Sequence, residues 1–222
     1  MMTKMKPDKK WVLFLLLSIL YAGVFACNDT EPKILDQLRE QKLQNTDEWK
    51  TFNELWIKCS NYYNEILTKS LKPIQDQYAE SLRECLSKVN GLASLKKDGL
   101  ITDVEIRVMR EYFSQMLIII SRPQVGAQSG SEAAKKMFAA GEEEEYQYHK
   151  KVLPLLETLS QQSNCISWVR ENFVGFIKTF YSGGTQGPPK YLEYWKKPVN
   201  VEEVISLQKR VAKAIETIEK TK

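Results

Sequence analysis

Trp49-Lys-Thr-Phe52-Asn-Glu-Leu-Trp56-Ile-Lys-Cys59-Ser-Asn-Tyr-Tyr63-Asn-Glu-Ile66 is the stretch that decides the fold class. Its large side chains recur at spacings of 3, 4, 3, 4 and 3 residues, which lines them along one side of an α-helix as the seam of packed helices. A half-buried strand would alternate every second residue, and this stretch does not. Asn45 with Glu48 has the spacing of a capping box at the helix start.

The same periodicity extends in both directions. Upstream, Ile34, Leu35, Leu38 and Leu43 outline a first, modest helix. Downstream, Pro73 lacks an amide hydrogen and disfavours helical geometry at Lys72, so the chain should break or bend there. Ile74, Tyr78, Leu82, Cys85, Val89 and Leu92 then form a second strong stripe, closing near Gly99. Thr102 with Glu105 reads as the capping box of a helix through about Ile120. Its end, Met116-Leu-Ile-Ile-Ile120, is apolar all round, as expected of a helix end in the middle of a bundle.

Residues 121–130 are rich in turn formers and read as a linker. Ser129 and Glu132 are placed to cap the helix that follows, which carries Ala133, Ala134, Met137 and Phe138. Pro154 is expected to start or kink the next piece, Leu155 to Gln161. Ile166, Val169, Phe173, Phe176, Ile177 and Phe180 mark another helix, stopped by a second linker at 182–190. Asn200 with Glu203 opens the last helix, with Val199 and Val204 as a hydrophobic staple and Val204, Leu207, Val211, Ile215 and Ile218 as its stripe. The expectation is an all-α protein, a single bundle of about six or seven helices spanning 34–222.

The N-terminus carries the other strong pattern. A basic flank, Met1 to Lys10, precedes the uncharged run Trp11 to Phe25, which ends in Ala26-Cys27. That is the layout of a secretory signal. Residues 1–26 are therefore expected to be a signal peptide, with 27–33 as a polar tether. Val24-Phe25-Ala26-Cys27 resembles the bacterial lipobox, in which an apolar residue and two small residues precede the Cys that receives lipid. Val24, Ala26 and Cys27 match, whereas Phe25 stands where a small residue is usual. The resemblance implies a multiply acylated Cys27, and more than one chain is what stable anchoring takes. Two alternatives remain open: release as a soluble secreted protein, or an uncleaved anchor. From Trp11 to Cys27 the run is 17 residues, at the lower limit for a spanning helix.

Charge narrows the partners. The net charge of +4 sits mainly in the basic flank, and from Cys27 onward 28 basic residues face 27 acidic ones. A near-neutral body lacks the basic face that displaces counterions from phosphates, so nucleic acid is not an expected partner.

The candidate sites are few. Asp98 to Glu105 resembles the second half of an EF-hand loop, but position 1 would be Ser94 and position 3 Lys96, a cation where calcium needs oxygen. A helix ending at Gly99 and another starting at Thr102 explain the same residues. His149 is the only histidine and follows Glu145 by four residues, not the three of a di-metal motif. It is expected on the surface of a charged helix, beside a solvated Glu142-Glu-Glu-Glu145 run paired with Lys150 and Lys151. No catalytic constellation, metal site or cofactor is legible.

Tyr191, Tyr194, Trp195, Lys196 and Lys197 combine aromatics and cations as a contact surface would, for a protein partner or for the nearby membrane. The alternative is that the rings fold back over the end of the bundle. Export permits disulfides, and lipidation of Cys27 leaves Cys59, Cys85 and Cys165. If the chain reverses near Pro73, Cys59 and Cys85 lie at matching heights on facing stripes, which makes them the expected pair. The function these observations favour is a non-catalytic binding or scaffolding role in the cell envelope. A secreted factor and an exported enzyme are the alternatives.

Overall fold

The computed structural model describes residues 31–69, 72–122, 131–162, 164–180 and 188–220. The signal segment, Cys27 and most of both linkers lie outside the described residues. Within them the chain is all-α, 84% helical, with seven α-helices and no strand. The helices are α1 (Glu31–Gln44), α2 (Asp47–Lys69), α3 (Lys72–Gly91), α4 (Asp103–Ile120), α5 (Glu132–Ser160), α6 (Gly175–Phe180) and α7 (Val201–Lys220). The chain divides into two compact units, residues 1–39 and 40–222, and the bundle is the second. No helix among the described residues is long and apolar enough to cross a membrane.

The bundle is the α2–α3 hairpin and the packed pair α5 and α7, joined through α4. Helices α2 and α3 separate between Lys69 and Lys72, with Pro73 inside the first turn of α3 and Lys72 helical against expectation, and they pack on each other with the Tyr63 and Tyr78 rings 5.8 Å apart. α4 packs against α3 and α5, and α5 against α7. Both expected stripes face inward: Phe52, Cys59, Leu82, Cys85, Val89 and Leu92 are buried. All five stripe residues of α7 are buried as well.

Local chemistry sets the ends, with some displacements from expectation. The Thr102–Glu105 capping box forms in full. At α2 the cap shifts by one residue: the Thr46 hydroxyl accepts from the Trp49 amide, while the Asn45 side chain donates to the Gln41 carbonyl and closes α1. Two adjacent polar residues thus divide the stop and the start between them. At α5 the cap is Ser131, accepting from Ala134 N, and Ser129 lies outside the described residues. Asn200 caps α7 through the Glu202 amide, but Glu203 leaves the box to accept the Tyr146 hydroxyl.

Pro154 neither starts nor separates a helix, because α5 runs unbroken from Glu132 to Ser160. An interior proline costs about 3 kcal/mol through its missing hydrogen bond and ring clash. Burial of Val152, Leu153, Leu155, Leu156 and Leu159 on both sides of it offsets that cost. The end of α4 also departs from expectation. Of Met116 to Ile120 only Met116 is buried, and Ile118 is half exposed, so one side of this last turn stays in solvent.

The segment from Ser167 to Phe180 is helical, but its first part, Val169–Val174, is a π-helix that runs into α6. The Gly175 amide reaches back five residues to the Arg170 carbonyl. Trp168 and Val169 are buried, as are Phe173 and Val174 five positions later, so the wider turn keeps both pairs on the core side.

Candidate functional site

Where the π-turn meets α2, α3 and α4, the bundle does not close. A groove of about 370 Å³ opens there, walled by the rings of Trp56, Tyr63, Tyr78, Tyr112 and Phe176 and the side chain of Met116. Its polar lining comes from Ser60, Asn64, Glu171, Asn172 and Thr179, with the Gly175 backbone. Pockets that hold small molecules span about 300–1,000 Å³ and combine apolar walls with a few polar groups, a description this groove meets.

The walls are held by aromatic packing behind them. Trp168, buried, places its ring 5.4 Å from Trp56, 5.3 Å from Tyr112, 5.5 Å from Phe113 and 5.7 Å from Phe52. Tyr112 meets Phe176 at 5.4 Å, and Trp56 meets Tyr112 at 5.7 Å. The π-turn brings Glu171 and Asn172 to the groove, and the Asn172 side chain is steadied by donating to the Trp168 carbonyl. π-turns are rare and recur at functional sites because the widened backbone re-aims side chains. Burial pushes the Tyr112 phenol well above its ordinary value, and that of Tyr78 likewise, so both remain neutral hydroxyls.

The helical periodicity places Trp56, Tyr63, Tyr78, Met116 and Phe176 on packed stripes and does not mark a groove between them. Trp56 is in fact half-buried. A signal was present: three tyrosines, Tyr63, Tyr78 and Tyr112, point into one seam, and a buried tyrosine has a polar tip that needs company.

Cys59 and Cys85 meet as the hairpin geometry anticipates. Both are buried, and the Cys59 thiol is hydrogen-bonded with Cys85, which together with burial pushes its pKa up. In the structure both are free thiols, as is the buried Cys165. The EF-hand resemblance dissolves into capping. Lys96 pairs with Asp103 at 2.7 Å. Glu105 is fully buried, with one oxygen accepting from Thr102 N and the other from Ile166 N. Gly99 takes the left-handed φ of 67° that ends the preceding turn.

The aromatic cluster near the second linker folds back. Tyr191 stacks on Phe138 at 5.9 Å, and Trp195 is buried against Tyr146 at 5.6 Å. Tyr194 is half-buried, and of the five candidate residues only Lys196 and Lys197 are exposed. The anchor for this strap is the acidic run, which is not a solvated face. Glu142 accepts from the Lys190 and Tyr191 amides, Glu143 from the Lys196 amide, and Glu144 from Gln115 and Arg122. Lys150 and Lys151 pair elsewhere, with Glu203 and Glu111.

His149 is buried, not on the surface, and burial pushes it down to about 4. Glu145 is pushed up to about 7 by burial and then by the charge of Glu142. These two groups load the pH profile in opposite senses. Glu145, raised from 4.5, remains protonated in the fold while the unfolded chain ionises, so stability is lost as pH rises from about 4.5 to 7. His149, lowered from 6.5, loses stability as pH falls from about 6.5 to 4. Replacing Glu145 by glutamine should therefore leave stability unchanged below pH 4.5 and raise it above pH 7, with the gain developing between. Denaturant melts of the two proteins across that window check this, and a pH-independent difference refutes it.

Among the described residues no group of three His, Cys, Asp or Glu side chains is placed to hold a metal ion. No protein-family model, curated protein or solved structure matches the chain. The groove, the buried cysteine pair and the strap over α5 therefore have to be read from their own chemistry.

Proposed function

We propose that this protein is an exported, lipid-anchored binding protein of the cell envelope, non-catalytic, with the aromatic groove as its binding place. The groove is the observation that carries the binding reading. Five rings wall a cavity of small-molecule size, and a π-turn presents polar side chains to it. Support for the location comes from the basic flank, the apolar run and the lipobox-like Val24 to Cys27. In this reading the membrane is a partner through lipid on Cys27, and the bundle stands outside the cytoplasm.

Export adds an expectation for the core. In an oxidising compartment Cys59 and Cys85 lose two protons and two electrons to an oxidised dithiol of the folding machinery and form a disulfide. Both thiols are fully buried in the closed bundle, so the bond forms while the α2–α3 hairpin is still open.

The mature protein taken from membranes should begin at Cys27 and carry the mass of its acyl chains. Non-reducing peptide maps should show a 59–85 link. Replacing Cys27 by serine should free the protein or block its processing. An unlipidated mature N-terminus refutes the anchor and favours the secreted alternative. Alkylatable thiols at both 59 and 85 in envelope-derived protein refute the disulfide.

A further inference from the structure

Charge and ring chemistry say what the groove would hold. Among the described residues that line it, Glu171 carries the one formal charge, and there is no lysine, arginine or histidine. An anion entering would leave water for a site that offers it no cation and places a carboxylate beside it. A neutral apolar ligand would fill the space but would partly desolvate Glu171 without compensating it. A cation meets both features. Aromatic rings are electron-rich on their faces and attract cations within about 6 Å of the centroid. The wall is not one flat array of ring edges: Tyr112 lies at 78° to Trp56 and at 82° to Phe176. Rings set so steeply to one another do not lie in one plane around the cavity, which leaves room for a cation to approach a ring face.

We propose that the groove binds an organic cation, an ammonium group with apolar substituents, seated among the rings of Trp56, Tyr63, Tyr112 and Phe176 and neutralised by Glu171. This rests on the reading of the groove as the binding place and deepens it. Apolar substituents suit the site because they lower the cost of taking the ammonium out of water and fill the space beside Met116. Ser60, Asn172 and Thr179 supply hydrogen-bonding groups for a hydroxyl or amide elsewhere on the ligand.

The test uses the purified chain, choline chloride as the cationic probe, and the uncharged alcohol in which a tert-butyl group replaces trimethylammonium. Tryptophan fluorescence and proton NMR report binding. Choline should bind with a dissociation constant of about 1 mM or tighter, and the isostere at least tenfold more weakly. Glu171→Lys, at an exposed position, should abolish choline binding, leave the melting temperature unchanged and leave the isostere unaffected. Glu171→Gln should weaken choline several-fold, and Trp56→Ala should remove binding of both. Equal affinity for the two probes, or choline binding that survives Glu171→Lys, overturns the cation proposal while the groove reading stands. If choline, the isostere and an apolar fluorescent dye all fail to bind in a Trp56-dependent way, the groove reading falls with it.

Discussion

Glu105→Ala should lower the unfolding free energy by about 3–5 kcal/mol, with the melting temperature falling by roughly 10 °C. Glu105 is fully buried, and each of its oxygens accepts a backbone amide at 2.7 Å. Truncation leaves the buried Ile166 amide and the part-buried Thr102 amide without their acceptor, at about 1–3 kcal/mol each, and removes an acidic group from the first turn of α4. The two amides differ in kind. Thr102 is three residues away and belongs to the cap, whereas Ile166 is 61 residues away and opens the segment that becomes the π-turn. Thr102→Ala, which spares the Ile166 bond, should cost only about 1 kcal/mol. Hydrogen exchange adds a local readout: the Ile166 amide, protected in the native protein, should exchange much faster in the alanine variant. A melting temperature close to the native one would show that this tether contributes little.

Trp168→Ala is expected to be as damaging, at about 3–5 kcal/mol, and to take the groove with it. The indole contacts four other rings, so its loss leaves a cavity behind both Trp56 and Tyr112. Near-UV circular dichroism should collapse toward that of a loosely packed core while far-UV helicity largely persists. Trp168→Phe is the informative companion. The indole Nε1 is buried with no hydrogen-bond partner in the structure, so phenylalanine removes an unsatisfied donor and keeps most of the packing. That variant should lose less than about 1.5 kcal/mol and retain probe binding. A large loss in the phenylalanine variant would contradict this account, because it would mean that the indole nitrogen is doing structural work.

Some of the molecule was legible because the physics is local or strictly periodic. The stripe from Trp49 to Tyr63 and its counterpart from Tyr78 to Leu92 specify two helices and the sides on which they meet. Pro73 says where they separate, and together these bring Cys59 to Cys85. The Thr102–Glu105 box was readable because both partners lie within one turn. The same spacing failed at Asn45–Glu48, where Thr46 took the cap, and at Ser129–Glu132, where Ser131 did. Adjacent hydroxyl and amide residues compete for one role, and their energies differ by less than the packing that selects between them.

Other features had no local signature. Pro154 breaks a helix in isolation, but apolar burial on both sides carries α5 through it. His149 and the run from Glu142 to Glu145 look like a solvated face by composition. Only the return of the 188–197 strap and of α7 buries the histidine and assigns Glu142 and Glu143 to backbone amides.

The sequence by itself determined the helical class, the order and inward faces of the main helices, and the signal-like N-terminus, because each depends on residues within a few turns of one another. Only the tertiary structure decided where the bundle stays open. The groove takes its walls from α2, α3, α4 and the π-turn, residues separated by up to 123 positions between Trp56 and Thr179. A cavity is space that several elements fail to fill, and no single stretch of chain records that space.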